Sequence, residues 1–291
     1  MRRALFWSPT ESSCARCELC PHRCNISVGA SGVCGTRENR GGELVAAGYG
    51  RLSSAALDPI EKKPLRLFHP GSRIFSIGGF GCNLRCPFCQ NHEISAATAA
   101  SGSAPASGRE RRFAPEDVLD LALQTVPEGN IGVAYTYNEP LINYEFLLDC
   151  AKLVRGAGLR NVVVTNGFIN AGPLEELLPF VDAMNIDLKG FTERFYENVG
   201  GSLGAVMDTI SAACGRCHTE VTTLVIPGEN DGDVAELSKW LASIDPDIPL
   251  HLSRFFPRHT YSGREPTPKE DIFRLRDVAR ERLRYVFAGN V

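Results

Sequence analysis

The segment Gly78-Gly79-Phe80-Gly81-Cys82-Asn83-Leu84-Arg85-Cys86-Pro87-Phe88-Cys89-Gln90-Asn91 decides how the rest of the chain is read. Cys82, Cys86 and Cys89 stand in C-x3-C-x2-C spacing behind a glycine-rich lead-in. Thiolates on a tight loop are soft ligands close together, which suits a cubane iron–sulfur cluster. Three such ligands leave one iron of a four-iron cubane without a protein thiolate, and that iron is open to a small molecule. The glycines ahead of Cys82 let the backbone approach a cluster closely. Two other readings compete: a zinc knuckle completed by a fourth ligand such as His92, and a disulfide.

Outward from this loop the chain alternates regularly. Short β-branched or apolar runs predict strands at Arg73–Ile77, Ile131–Ala134, Asn161–Thr165, Ala183–Asp187, Thr222–Ile226, Leu250–Arg254 and Tyr285–Phe287. Amphipathic stretches between them predict helices at Pro115–Thr125, Asn143–Arg155, Pro173–Phe180, Asp233–Ser243 and Lys269–Arg282, the last opened by a Thr267-Pro268-Lys269-Glu270 capping box. Strand–helix alternation of this kind argues for a parallel sheet with helical crossovers, an α/β barrel or incomplete barrel. The predicted C-terminal strand ends are polar: Tyr137-Asn138-Glu139, Thr165-Asn166-Gly167, Asn185-Ile186-Asp187-Leu188-Lys189 and Ser253-Arg254. Chemistry gathers at that end of such sheets. Alternation puts Asn185, Asp187 and Lys189 on one face and Met184, Ile186 and Leu188 on the other, while His251 and Arg254 cannot both point straight inward.

The chain has 291 residues, 43% hydrophobic and 22% charged, with 31 basic and 34 acidic side chains and a formal net charge of -3. These values fit a globular domain with an appendage and exclude a basic coat for non-specific nucleic-acid binding. No apolar run approaches the roughly 20 residues that span a bilayer, so no membrane association is expected. The start, Met1 to Pro9, lacks the apolar core of a secretory signal, which predicts a cytoplasmic, thiol-reducing setting. In that setting the 11 cysteines read first as metal or cluster ligands.

Residues 1–70 are rich in Gly, Pro and Arg and read as a small loop-rich module. Residues 71–291 read as the barrel, with a mobile Ala/Ser-rich loop expected at 95–108. In the N-terminal module Cys17-x2-Cys20-x3-Cys24-x9-Cys34 supplies four thiolates, with Cys14 to spare. That count closes a structural zinc site or a second, auxiliary iron–sulfur cluster, the alternative being free buried thiols. Cys150, Cys214 and Cys217 read as ordinary thiols.

Cys82-x3-Cys86-x-Phe88-Cys89 resembles the radical S-adenosylmethionine (radical SAM) signature, including the aromatic before the last cysteine. Cys20-Pro21-His22-Arg23-Cys24, the run Asp58 to Leu65, Cys86-Pro87-Phe88-Cys89-Gln90-Asn91 and Tyr137-Asn138-Glu139-Pro140 resemble the radical SAM component of AmmeMemoRadiSam systems. That group is itself similar to pyruvate formate-lyase activating enzymes. The resemblance implies a partial (β/α)6 radical SAM barrel, with a [4Fe-4S] cluster on Cys82, Cys86 and Cys89. It implies an oxidoreductase or lyase-type enzyme that takes one electron from a reductant and cleaves S-adenosylmethionine to methionine and a 5′-deoxyadenosyl radical. That radical abstracts hydrogen from a substrate. By the same resemblance Asn138 and Glu139 bind the methionine amino group, with capping of the next helix as the alternative. Asn166 and Gly167 contact ribose or carboxylate. Asp187 and Lys189 meet cofactor or substrate, the alternative being a barrel-lining ion pair. Phe88 supports adenine or packs the core. Memo-like and AMMECR-like proteins are the partners the resemblance implies. A glycyl-radical-enzyme activase and a non-catalytic zinc or iron–sulfur scaffold are the other readings.

Overall fold

The computed structural model describes residues 2–97 and 111–291. The greater part of the loop expected at 95–108 therefore lies outside the described residues. The main sheet has eight strands: β1 (Ser54–Pro59), β2 (Arg73–Gly78), β3 (Asn130–Thr136), β4 (Arg160–Thr165), β5 (Ala183–Asp187), β6 (His218–Val225), β7 (Leu250–Arg254) and β8 (Val286–Gly289). They lie side by side in chain order. β2 through β8 run parallel, and β1 pairs antiparallel with β2 at the edge.

The crossovers carry α1 (Pro115–Gln124), α2 (Tyr144–Gly156), α3 (Ala171–Leu177), α4 (Glu193–Val199), α5 (Leu203–Ala213), α6 (Val234–Ile244) and α7 (Lys269–Arg280). The sheet's edge strands, β1 and β8, are not paired to each other, so the α/β barrel is open, as a partial (β/α)6 barrel requires.

Helices α4 and α5 were not expected. Side-chain caps start both: the Thr192 hydroxyl accepts from the Phe195 amide, and that of Ser202 from the Ala205 amide. The capping box expected at Thr267 is also corrected. Helix α7 does begin at Lys269, but the Thr267 hydroxyl donates to the Val225 carbonyl at 2.7 Å and accepts from the Phe255 amide at 3.3 Å. A tertiary contact holds the group that the local pattern assigns to a cap.

Alternation along the strands separates two cores. Phe75, Val133, Tyr135, Val163 and Met184 belong to the large core under the helices. Ile74, Ala134, Val162 and Ala183 face the other way and pack with Ile60, Leu65 and Phe68. The segment from Ile60 to Phe68 therefore fills the inside of the barrel. Glu220 on β6 fixes this plug by accepting from the Arg66 and Leu67 amides at 3.0 and 2.8 Å. Asn185 donates to the Pro64 carbonyl at 2.8 Å.

Residues ahead of the plug form short strands rather than loops alone: Trp7–Pro9, Ala15–Cys17 and Asn25–Ile26 in one sheet, and a hairpin of Arg37–Arg40 with Glu43–Ala46. Ala4, Ala15, Leu19, Ile26 and Leu44 share the large core with the barrel. A fully buried ion pair joins the two: Arg37 is 1% exposed and Glu145 on α2 is 0% exposed. Removing one partner of such a pair strands a buried charge and costs about 3–5 kcal/mol.

Candidate active site

The loop after β2 turns the three cysteines back over the C-terminal end of the sheet. Gly81 has φ +82°, and a Cβ there would stand 2.3 Å from the Cys34 carbonyl oxygen, so only glycine lets the loop lie against the N-terminal module. Asn138 brackets the same turn: its Oδ1 accepts from the Gly79 amide at 2.9 Å and its Nδ2 donates to the Gly81 carbonyl at 3.0 Å. Beside the ligand-binding role expected for Asn138, its amide holds the cysteine loop.

Cys82, Cys86 and Cys89 line one cavity of about 420 Å³ together with Phe88, Asn138, Glu139, Asn166, Asp187 and Lys189. A cavity of this size is in the range that holds a small molecule or cofactor. Burial pushes the Cys82 thiol up to about 12 and the Cys86 thiol up to about 11. Unliganded, both are neutral; a metal takes them as thiolates and reverses that cost. The Leu84 amide donates to Cys82 Sγ at 3.3 Å, and Asn166 Nδ2 lies 3.6 Å from the same sulfur. Such N–H donors are the outer contacts that orient and tune a cluster thiolate. The glycines ahead of Cys82 make room for Tyr137, Asn143 and the Cys34 carbonyl, whereas the soft donors and the N–H groups aimed at sulfur fit an iron–sulfur cluster. Among the described residues no three His, Cys, Asp or Glu side chains are gathered as a ready site for a metal ion. His92, the candidate fourth ligand of a zinc knuckle, stacks on His259 with ring centroids 4.6 Å apart.

Glu139 is 2% exposed and sits at the end of β3. Its Oε1 accepts from the Leu141 amide at 2.9 Å and the Thr165 hydroxyl at 2.7 Å, and its Oε2 from the Asn166 amide at 2.7 Å. It therefore does cap the short helix that follows. An ionised carboxylate accepts about four hydrogen bonds, which leaves room for one more donor. Burial raises this carboxyl to about 7, against the pull of its three neutral donors and the nearby Lys189 charge. Among the described residues no cation donates a hydrogen bond to it.

Asp187 and Lys189 pair across the cavity wall at 2.9 Å. Burial works against the Lys189 charge, but the Asp187 carboxylate outweighs it and holds the ammonium above its usual range. Asn166 donates to Asn83 Oδ1 at 2.9 Å, next to Cys82. Phe88 is buried between Phe195 and Tyr261, each with centroids 6.0 Å away. Gly167 does not line the cavity; it makes a turn at φ +70°, where a Cβ would meet Ile186 at 2.9 Å. His251 and Arg254 lie away from it as well: His251 Nε2 pairs with Glu220 at 2.5 Å, and Arg254 Nε donates to the Thr267 carbonyl at 2.5 Å.

The sequence reading assigned no role to the floor of the cavity. Lys62, Lys63 and Tyr137 line it, around Asp58 on β1. Burial works against the Asp58 charge, but hydrogen bonds from Lys63, Tyr137 and Lys62 outweigh it and hold the carboxyl well below its usual range.

The N-terminal cysteines form a second group. Burial pushes Cys20 up to about 12, with Cys34, Cys17 and Cys24 close enough to add to the effect. Arg37 Nη1 donates to Cys17 Sγ at 3.4 Å. All 11 cysteines are free thiols in this structure. His22, between Cys20 and Cys24, meets the Asn83 carbonyl through Nε2 at 2.7 Å, so this group abuts the central loop.

The chain is similar to several known proteins. An uncharacterized protein of Methanocaldococcus jannaschii is 38% identical, covering 100% of this chain and 86% of that protein. Pyruvate formate-lyase-activating enzyme of Clostridium pasteurianum is 26% identical, covering 68% of this chain and 80% of that enzyme. Among solved structures, SuiB of Streptococcus suis superposes with a TM-score of 0.54 at 13% identity, covering 74% of this chain and 48% of that one, a likeness of fold. The radical SAM superfamily model matches residues 76–241, from β2 through most of α6, and the chain belongs to that superfamily.

Proposed function

We propose that the chain is a radical SAM enzyme of the AmmeMemoRadiSam type, with a [4Fe-4S] cluster on Cys82, Cys86 and Cys89. The observation that carries this reading is the convergence of those three thiols with Glu139, Asn166 and the Asp187–Lys189 pair on one cavity. When bound, the reduced cluster and S-adenosylmethionine supply one-electron cleavage of a carbon–sulfur bond and a 5′-deoxyadenosyl radical.

The chain's own residues bind, orient and exclude water. Glu139, with acceptor capacity left and only neutral groups hydrogen-bonded to it, receives the methionine ammonium. Asn166 and the Leu84 amide steady the Cys82 sulfur. Lys189, held charged by Asp187, offers a cation beside Cys86. Phe88, Phe195 and Tyr261 form an apolar wall at the last cysteine. The N-terminal cysteines Cys17, Cys20, Cys24 and Cys34 are proposed to hold a zinc ion or a second cluster. A cytoplasmic setting and Memo-like and AMMECR-like partners belong to the same proposal.

Similarity to the clostridial activating enzyme favours a second reading, hydrogen abstraction from a glycine of a partner protein. One experiment tests the shared chemistry: anaerobic reconstitution with iron and sulfide, reduction, and assay for methionine and 5′-deoxyadenosine. Cleavage that requires all three cysteines is expected, and cleavage that persists in Cys86→Ala rejects the reading. A glycyl radical raised on a co-purified partner favours the second reading.

A further inference from the structure

The cavity is electrically polarised. Toward the C-terminal strand ends lies Glu139, a carboxylate with only neutral donors around it. Asp187 and Lys189 neutralise one another. Deeper in the barrel the balance reverses. Asp58 Oδ1 accepts from Lys62 Nζ at 2.9 Å, and Asp58 Oδ2 from Lys63 Nζ at 2.7 Å and from the Tyr137 hydroxyl at 2.6 Å. Two ammonium groups thus share one carboxylate and leave a net positive charge. Asp58 pairs in register with Ile74, near the start of β2, whereas the cysteine loop follows the end of that strand. Asp58 therefore sits toward the start of β2, away from the cysteine loop, and the Tyr137 hydroxyl reaches it from the strand ends.

This floor is built rather than incidental. Lys63 is 2% exposed, and its ammonium also lies 4.6 Å from the centre of the Tyr137 ring. Tyr137 has φ +70°, a costly conformation for an aromatic residue. Asn91 Nδ2 donates to its carbonyl at 2.5 Å, and the absence of a side chain at Gly78 clears room for its ring, where a Cβ would stand 2.7 Å away. Strain of this kind collects at ligand clamps. The plug that carries Lys62 and Lys63 is held from below by Glu220.

We propose that Lys62, Lys63 and Tyr137 form an anion-recognition subsite that binds a carboxylate or phosphate group of the substrate at the barrel floor. This rests on the reading of the upper cavity as the S-adenosylmethionine site and adds the substrate class to it. A buried ammonium has three donors, and Asp58 occupies one of those on Lys63. An anionic group that reaches the floor pairs with the excess charge through Lys63, which is shielded from water, and Lys62, which is open to it.

The test is calorimetric titration of the reconstituted full chain with inorganic phosphate and, separately, with succinate, at constant ionic strength. Wild type, Lys62→Gln and Lys239→Gln are compared, and S-adenosylmethionine affinity is measured on each. The Lys62 side chain is 63% exposed, so its variant keeps the fold. Loss of one charge-assisted contact, about 1.5–3 kcal/mol, weakens anion binding roughly 10- to 100-fold in Lys62→Gln. Lys239→Gln, on the outer face of α6, binds as wild type does. Binding of phosphate alone identifies a phosphate ester, and of succinate alone a carboxylate. Equal affinities in wild type and Lys62→Gln overturn the proposal, as does no binding of either anion, or loss of S-adenosylmethionine affinity in place of anion affinity. Failure of wild type to bind S-adenosylmethionine rejects the proposed function instead and leaves the anion titration to be read on its own.

Discussion

Two buried glutamates, one at each end of the barrel, have opposite surroundings. Glu139, at the C-terminal strand ends, meets only neutral donors, and burial leaves its carboxyl raised to about 7. For Glu220, deep in β6, burial pushes the same way. Hydrogen bonds from His218, His251 and the Arg66 and Leu67 amides outweigh it and hold the carboxyl at about 2. Its acceptor sites are filled, at 2.8 Å from His218, 2.5 Å from His251 and 3.0 and 2.8 Å from the amides. A saturated carboxylate holds structure together, and an unsaturated one waits for a ligand. Burial alone does not separate the two roles; the number of hydrogen-bond partners does.

That contrast can be broken by mutation, and the largest effect belongs at the upper end. Cys86→Ala abolishes reductive cleavage of S-adenosylmethionine and lowers the iron bound after reconstitution, read by product assay and metal analysis. Next is Glu220→Gln, which leaves His218 and His251 without their carboxylate and costs about 3–5 kcal/mol in denaturant unfolding. S-adenosylmethionine affinity of the folded variant stays within a few-fold of wild type.

The pH dependence follows the same distinction. The Glu220 carboxyl is lowered from 4.5 to about 2 on folding, so its contribution to stability is complete above pH 4.5 and is lost as pH falls through 2. Wild type therefore loses stability across that window, and Glu220→Gln flattens the slope there. Glu139→Gln has a smaller effect and a different readout. It removes one charge-assisted contact, about 1.5–3 kcal/mol, and weakens S-adenosylmethionine binding roughly 10- to 100-fold. Smallest is Lys239→Gln, which breaks an exposed pair with Glu236 and changes stability by less than about 1 kcal/mol.

The barrel's parallel strands were legible because buried strands are apolar and short. Ala183–Asp187 and Leu250–Arg254 fall where the sequence places them. β6 was read as starting at Thr222, four residues late, because His218 and Glu220 look like surface residues when their partners are unknown. Helix α5, LGAVMDTISAA, carries too few polar residues for a clear amphipathic period, though Ser202 was available as its cap. The edge strand β1 alternates poorly and ends in proline.

At the site, the cysteine spacing was legible because a cluster loop is local in sequence. The floor was not, because Asp58 and Tyr137 lie 79 positions apart and meet only once the plug enters the barrel. The visible signals were two adjacent lysines four and five residues after Asp58, which by themselves read as a solvated pair.

Electron paramagnetic resonance of the reduced, anaerobically reconstituted chain, with and without S-adenosylmethionine, tests the central assignment most directly. A reduced [4Fe-4S] signal that shifts when S-adenosylmethionine is added, and is lost in Cys82→Ala, Cys86→Ala and Cys89→Ala, is the expected result. A signal indifferent to S-adenosylmethionine, or one that survives those three substitutions, would contradict it.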